Sequence, residues 1–392
     1  MQSRILGGVF VAALVACHSV GSQSGLLPAA NGITTAISPE KCRERVNDTL
    51  AKLEECIQRA ALWHDLAHFQ QIADENPGPL GHASRDTGTP GYAASVAYVA
   101  NLMRAAGYKV TIQRYNYKKE EVIGAPEFQA RGHVGAPAVS IDLRSQHKSD
   151  VDYNLIADSP FGDPHSVVVI DAHLDAIYGA GMLDNASGST TILEVALNMA
   201  KTHTRNRLRY VWFGGEELGL LGSRYYTAHL SRTEVKRIVF DVDADVTATP
   251  NFDILIADPA NASKVKHFPR NVVPQSRIGN QLFADFFNTG GVVSRPAGFG
   301  NDGTDSLSFS LAGVPNSGIL TGQDCCKRLW ETRLWGGYRG DYDGVVPGFS
   351  KACVDRPKRW CDDLSNNDPF VLELTSKAVA YVTFKLANRH LP

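Results

Sequence analysis

The sequence predicts an α/β protein built on a largely parallel sheet, and three observations lead there. The stretch Ser166–Thr190, SVVVIDAHLDAIYGAGMLDNASGST, reads as strand, loop and helix. Its run Val167-Val168-Val169-Ile170 has the length and β-branching of a buried strand. A Gly-rich loop follows, and then Ile192, Val195, Ala196 and Met199 recur at helical spacing. Secondly, Leu208–Phe213 and Arg237–Ala244 read as two further buried strands. Thirdly, all three strands deliver acidic groups or a histidine at their ends: His173, Asp175 and Asp184; Glu216 and Glu217; and Asp245. In an open α/β sheet the loops beyond the strand C-termini hold the site.

The remaining elements follow in chain order. Residues 23–38 read as a lead and 39–75 as mostly helical, with His64 and His68 four apart. That pair lacks the Glu of H-E-x-x-H, since Asp65 stands there, and reads as surface or core histidine. Residues 85–91, RDTGTPG, form a turn-rich loop. The next helix carries Val96, Val99, Ala100 and Met103 on one face and ends at Gly107. Val110–Tyr117 and Tyr153–Ala157 read as strands, with 118–150 irregular or strand between them. Ile278, Leu282, Phe283 and Phe286 mark a helix, and Gly313–Thr321 holds a strand. The last helix starts near Pro369 and turns Phe370, Leu374, Ala378, Tyr381 and Val382 inward. Residues 322–368 read as one long loop with four cysteines, a length expected only of functional or stapled loops.

The 392 residues, 43% of them hydrophobic, suffice for one large domain with a small appendage. The net charge of −2 has both signs interspersed, and no basic block points to nucleic acid. Arg4 followed by the apolar run Ile5–Ala16 reads as an export signal, too short to span a bilayer. Leu14-Val15-Ala16-Cys17 resembles a lipoprotein box in which Cys17 would be lipidated; the alternative is cleavage after Gly21. Either way the expected location is extracytoplasmic, secreted or lipid-anchored, and Cys17 is the only expected membrane attachment. Six further cysteines fit an oxidising compartment. Cys42 and Cys56 form an isolated pair. On one unbroken helix they would lie about 21 Å apart, so a bond between them requires a break near Asn47-Asp48-Thr49. Cys325, Cys326, Cys353 and Cys361 must pair among themselves, with the connectivity open.

Four stretches carry a family resemblance: RDTGTPGYAASVAYVANLMRAAGY, YNLIADSPFGDPHSVVVIDAHLD with GAGMLDNASGS, WFGGEELGLLGSRYY, and GTDSLSFSLAGVP with WGG and CDDLSN. On these the chain resembles secreted zinc aminopeptidases of the bacterial leucine-aminopeptidase type, over about residues 62–388. The resemblance implies a mixed, largely parallel central sheet between helices, with zinc at the strand ends. With the export signal and the isolated cysteine pair read above, this divides the chain into a signal peptide (1–21), an N-terminal lead with a disulfide-linked helical segment (22–61), and a zinc peptidase-like domain (62–388). By the same resemblance His173 is a ligand of the first zinc and Asp175 orients it. Asp184 bridges the two ions, Glu216 is the general base and Glu217 is a ligand of the second zinc. Asp245 completes the first site, by gapless alignment from Glu217 to Pro250-Asn251, with Asp241 as the fallback.

The departures from the family are specific. Its Tyr-His pair before the last Cys of the C-terminal loop is missing. Lys358 falls where the second zinc's histidine is expected, and an ammonium has no lone pair for a metal. The Arg before the family's Ser-Asp-His stretch is also missing, which here reads Thr304-Asp305-Ser306. The only histidines after residue 229 are His267 and His390. One tight zinc is therefore expected, with the second weak or absent. The leading reading is an exported zinc aminopeptidase-like hydrolase acting on peptides. The alternative is a catalytically impaired family member that binds peptide or a partner. A one-zinc acyl transferase such as a glutaminyl cyclase is a third reading, and it too needs the absent C-terminal histidine.

Overall fold

Eight strands make one sheet in the order β1-β2-β4-β3-β5-β8-β6-β7. They are β1 (Lys109–Tyr117), β2 (Asp150–Asp158), β3 (Asp163–His173), β4 (Asn206–Phe213), β5 (Ile238–Ala244), β6 (Leu255–Ala257), β7 (Arg295–Ala297) and β8 (Asn316–Leu320). The computed structural model describes residues 37–78, 81–117, 150–177, 179–261, 268–297, 303–322, 327–339 and 362–391. Residues 1–36 with the expected export signal and Cys17, the segment 118–149, His267, Lys358 and the four later cysteines lie outside the described residues. The central strands β4, β3, β5 and β8 are mutually parallel. Antiparallel β1 and β2 extend one edge, and β6, antiparallel to β8 and parallel to β7, extends the other. The sheet is mixed and largely parallel, as the sequence predicts.

Helices cover both faces. They are α1 (Pro39–Glu44), α2 (Leu50–Cys56), α3 (Arg59–Glu75), α4 (Pro90–Ala105), α5 (Ser187–Met199), α6 (Leu221–Ala228), α7 (Arg232–Arg237), α8 (Val273–Thr289), α9 (Ser306–Ala312), α10 (Leu329–Trp335) and α11 (Pro369–Asn388). Side-chain alternation along β3 sends Val168, Ile170 and Ala172 into the larger core, with Phe69 of α3, Met103 of α4, Phe283 of α8 and Val382 of α11. Val167 and Val169 point the other way, against Tyr226 of α6 and Phe309 of α9. Each such Val, Ile, Phe or Met side chain, fully buried, contributes about 1.5–3 kcal/mol. Helix α5 is buried along its whole length, from Ser187 to Met199. Its one acidic residue, Glu194, is neutralised by Arg43, which also reaches Asp65 at 3.3 Å.

The expected break between Cys42 and Cys56 is present. Helix α1 ends at Glu44, and Thr49 caps α2 by accepting the Lys52 N–H. The two Cα atoms come within 5.4 Å and the cysteines are joined by a disulfide. Elsewhere the fold corrects the sequence reading. The 322–368 stretch is not one loop, because α10 and a 3₁₀ turn at Leu364–Asn366 interrupt it. In α11, Phe370, Leu374 and Tyr381 are only half-buried, while Val371, Leu372, Thr375, Val379 and Leu386 face inward. That helix packs on α8, α5, α3 and α2 together, so no single stripe describes its buried surface. His64 is exposed beside Asp65, and His68 packs on the Tyr98 ring at 4.2 Å between centroids.

Candidate metal centre

The parallel strands bring distant residues to one rim. β3 ends on His173, which lies in register with Phe213 at the end of β4. β5 ends on Ala244, one residue before Asp245. Gly214 and Gly215 then carry the chain from β4 to Glu216 and Glu217; Gly215 has φ +66°, a conformation that favours glycine. From β3 the loop to α5 passes through a π-type turn, Met182–Ala186, inside which Asp184 and Asn185 leave helical dihedrals. The turn must pass close to its neighbours. A Cβ on Gly188 would lie 2.0 Å from the Ala244 carbonyl oxygen, so only glycine lets α5 begin against the end of β5. Asn185 fastens the contact by donating to the Ala244 carbonyl at 2.9 Å and accepting from the N–H groups of Gly188 (2.8 Å) and Val246 (3.1 Å).

His173 is the hub. Its Nδ1 faces the carbonyl oxygen of Asp175 at 3.2 Å and the Asp175 carboxylate at 3.5 Å. Nε2 therefore points at the acidic groups: Asp184 Oδ1 at 3.0 Å, Asp245 Oδ1 at 3.4 Å and Glu216 Oε2 at 4.0 Å. One donor atom each from His173, Asp184 and Asp245 lies within 4.8 Å of the other two. All three residues are buried. Asp175 accepts from Thr87 Oγ1 at 2.7 Å and from the N–H groups of Glu216 and Glu217 at 3.2 and 3.4 Å. It thereby ties the β3 and β4 loops together.

The electrostatics call for a cation. Five carboxyl groups, from Asp175, Asp184, Glu216, Glu217 and Asp245, surround one imidazole. Burial opposes a charged His173 ring, but the Glu216 carboxylate and hydrogen bonds to Asp175, Asp184 and Asp245 outweigh it and hold the pKa well above the ordinary value. Burial, then the Asp184 and Glu216 carboxylates, push the Glu217 carboxyl well up. Glu217 Oε1 is enclosed and has no hydrogen-bond partner among the described residues, and the enclosed Asp245 Oδ1 has only the His173 ring, at 3.4 Å. Enclosed carboxylate oxygens so poorly satisfied, gathered with a histidine, are the donor set a divalent ion would satisfy.

The structure brings together His173, Asp175, Asp184, Glu216, Glu217 and Asp245. Asp241 stands apart, further back along β5. It belongs to a second, buried group with Asp171, Asp243 and Asp305. Burial and the Asp243 carboxyl raise the Asp241 pKa well above normal, and burial with Asp245 raises Asp243 to about 7. No donor atom of Asp241 enters the metal group found among the described residues. His390 lies on the surface beside Arg205. Residues that sequence reasoning missed are Arg85, Asp86, Thr87 and Asp362, which contact the same loop. Both segments stand in the motifs that carry the resemblance, but nothing local in them signals a role.

An α/β sheet whose parallel rim gathers one histidine and several carboxylates is the scaffold of a metal-dependent hydrolase centre. The family model described as Peptidase family M28 matches residues 154–383, and the chain belongs to that family. Leupeptin-inactivating enzyme 1 of Streptomyces exfoliatus is 31% identical over 324 residues, covering 82% of this chain and 60% of that protein. An aminopeptidase of Pseudomonas aeruginosa is 32% identical over 232 residues, covering 59% of this chain and 40% of that protein. The chain thus spans 40–60% of the length of these relatives. The solved zinc aminopeptidase BSAP of Bacillus subtilis has the same fold, with a TM-score of 0.60 at 15% identity over 85% of this chain and 96% of that one.

Proposed function

We propose that this protein is an exported, zinc-dependent aminopeptidase-like hydrolase that removes N-terminal residues from peptides. The observation that carries the reading is the convergence of His173, Asp184 and Asp245 within 4.8 Å, with Glu216 beside them. One nitrogen and two carboxylate oxygens, leaving a position open, make a ligand set suited to catalytic zinc. Glu217 and Asp184 offer a second ion only two carboxylates, so one zinc is tight and the second weak or absent. Zinc, when bound, would polarise the scissile carbonyl and acidify the attacking water. Glu216, beside the ligand group, is placed to take a proton from water and return it to the departing amine. Asp175 fixes the His173 ring with Nε2 turned toward Asp184 and Asp245, where it could serve as a ligand. Membership in a peptidase family supports peptides as substrates, and the charged, then apolar N-terminal run supports export.

The test is hydrolysis of a panel of aminoacyl-anilides with added zinc, for the parent and for Glu216→Gln. The parent should cleave some of them, and the variant should be about 10²–10⁴-fold slower while still binding zinc. Activity that survives in Glu216→Gln would remove Glu216 from the chemistry. Zinc content per folded chain tests the stoichiometry, and two tightly held equivalents would overturn the single-ion reading. A second reading, a peptide-binding protein without catalysis, draws on Lys358 at the family's histidine position. It is the reading left standing if neither protein cleaves any anilide.

A further inference from the structure

The tripeptide Arg85-Asp86-Thr87 takes no part in the chemistry above, yet each of its side chains grips the loop that carries His173 to Asp184. Arg85 is wholly buried. Its Nε donates to the Ala180 carbonyl at 2.8 Å, Nη1 to Leu174 at 2.7 Å and Nη2 to Gly181 at 2.8 Å. Its backbone adds two more bonds, accepting the Ala176 N–H and donating to the Gly179 carbonyl. One face of the guanidinium lies 5.1 Å from the centroid of the Phe69 ring. Asp86 Oδ1 accepts the Gly179 N–H at 2.8 Å, and Thr87 Oγ1 donates to Asp175 at 2.7 Å. The loop's own shape leaves it dependent on such support. Gly181 has φ +59°, and a Cβ there would lie 2.3 Å from the Ala176 Cβ.

A second grip comes from the other end of the chain. The Asp362 carboxylate accepts the Leu183 N–H at 2.8 Å and the Asp184 N–H at 3.0 Å, and is held by Asn366 at 2.8 Å. The Asp362 carbonyl accepts the Met182 N–H. The loop thus runs between a cation that collects its carbonyls and an anion that collects its amides. Arg85 binds just after His173 and just before the turn; Asp362 binds at Asp184 itself.

We infer that Arg85, Asp86, Thr87 and Asp362 are positioning residues. They preset the spacing between His173 and Asp184, and so set how tightly the centre holds its ion. This rests on the zinc reading of the site. A planar guanidinium with donors on three nitrogens can serve three divergent carbonyls; a lysine ammonium at the same place cannot span them. Groups that orient metal ligands typically change metal affinity by about 10–100-fold when lost.

The experiment measures the zinc dissociation constant by chelator competition for the full chain and for Arg85→Lys, Asp362→Asn, Thr87→Val and Thr87→Ser. The visible spectrum of the Co²⁺-loaded proteins and the thermal unfolding of the metal-free forms are recorded alongside. Arg85→Lys, Asp362→Asn and Thr87→Val should each weaken zinc by about tenfold or more and alter the Co²⁺ spectrum. Thr87→Ser, which keeps the hydroxyl, should match the parent. Should Arg85→Lys fail to fold, the Thr87 pair still decides. Folded variants that bind zinc within about twofold of the parent, with unchanged spectra, overturn the inference. A parent that binds no zinc overturns instead the functional reading beneath it.

Discussion

A zinc ion entering this centre at neutral pH must displace a proton, and the size of that effect follows from the geometry. In the metal-free protein His173 Nε2 faces carboxylate oxygens at 3.0, 3.4 and 4.0 Å. Burial opposes the charged ring, but the Glu216 carboxylate and the hydrogen bonds to Asp175, Asp184 and Asp245 hold its pKa well above the ordinary 6.5, which favours the protonated ring. Zinc needs the neutral ring, and each displaced proton costs about 1.4 kcal/mol per pH unit below the folded pKa. Apparent zinc affinity should therefore rise with pH, by up to about tenfold per unit while the ring still carries its proton. The rise steepens if Glu217, whose carboxyl burial also pushes well up, joins the ion. The metal-free protein should behave oppositely. A raised histidine pKa gives stability that is complete below 6.5 and is lost as pH climbs through the folded value. Chelator competition at pH 6, 7 and 8, with unfolding of the metal-free form in parallel, measures both trends. A zinc constant that stays within about twofold over that range refutes the proton displacement.

Four further outcomes are expected. Asp245→Asn should weaken zinc by at least tenfold, whereas Asp241→Asn should leave it unchanged; equal losses would dissolve the distinction between the two groups. Because a raised carboxyl pKa drains stability as pH rises above the ordinary 3.8, Asp241→Asn should also stabilise the fold at pH 9, read from its urea midpoint. Replacing Cys42 and Cys56, separated by 14 positions, with serine should cost about 3 kcal/mol in urea unfolding; a cost below about 1 kcal/mol would show that Arg43 and its partners hold α1 unaided. Lys327 is enclosed, donates to the carbonyls of Asn251 (3.1 Å) and Phe252 (2.5 Å), and lies 3.2 Å from Asp253. Lys327→Met should destabilise by about 3–5 kcal/mol by leaving Asp253 buried alone, and an unchanged Tm would count against that pairing.

The central part of the fold was legible because its signals are local. Val167–Ile170, Leu208–Phe213 and Arg237–Ala244 are apolar runs of strand length, and all three lie in neighbouring parallel strands. The same register that orders them carries His173, Glu216, Glu217 and Asp245 to one rim, so strand ends alone pointed at the centre. What stayed hidden depends on partners far along the chain. Arg85 in a turn-rich loop looks like a solvated cation; only its reach of 89–96 positions to the carbonyls of Leu174, Ala180 and Gly181 reveals its work. Asp171 drew no notice and Asp241 stood as the fallback ligand, because nothing local says that the two face each other across β3 and β5. The three-residue strands β6 and β7 and the short helices α7 and α10 have too few residues to establish a period.

The grips on the loop from Arg85 and from Asp362 set an order of events. The two supports stand 277 positions apart in sequence. A chain that has not yet gained Asp362 already carries His173, Asp184 and Asp245 but lacks the anion that gathers the Leu183 and Asp184 amides. On the inference above, such a partial chain would hold an ion only weakly, and its full grip would come with the last tenth of the polypeptide.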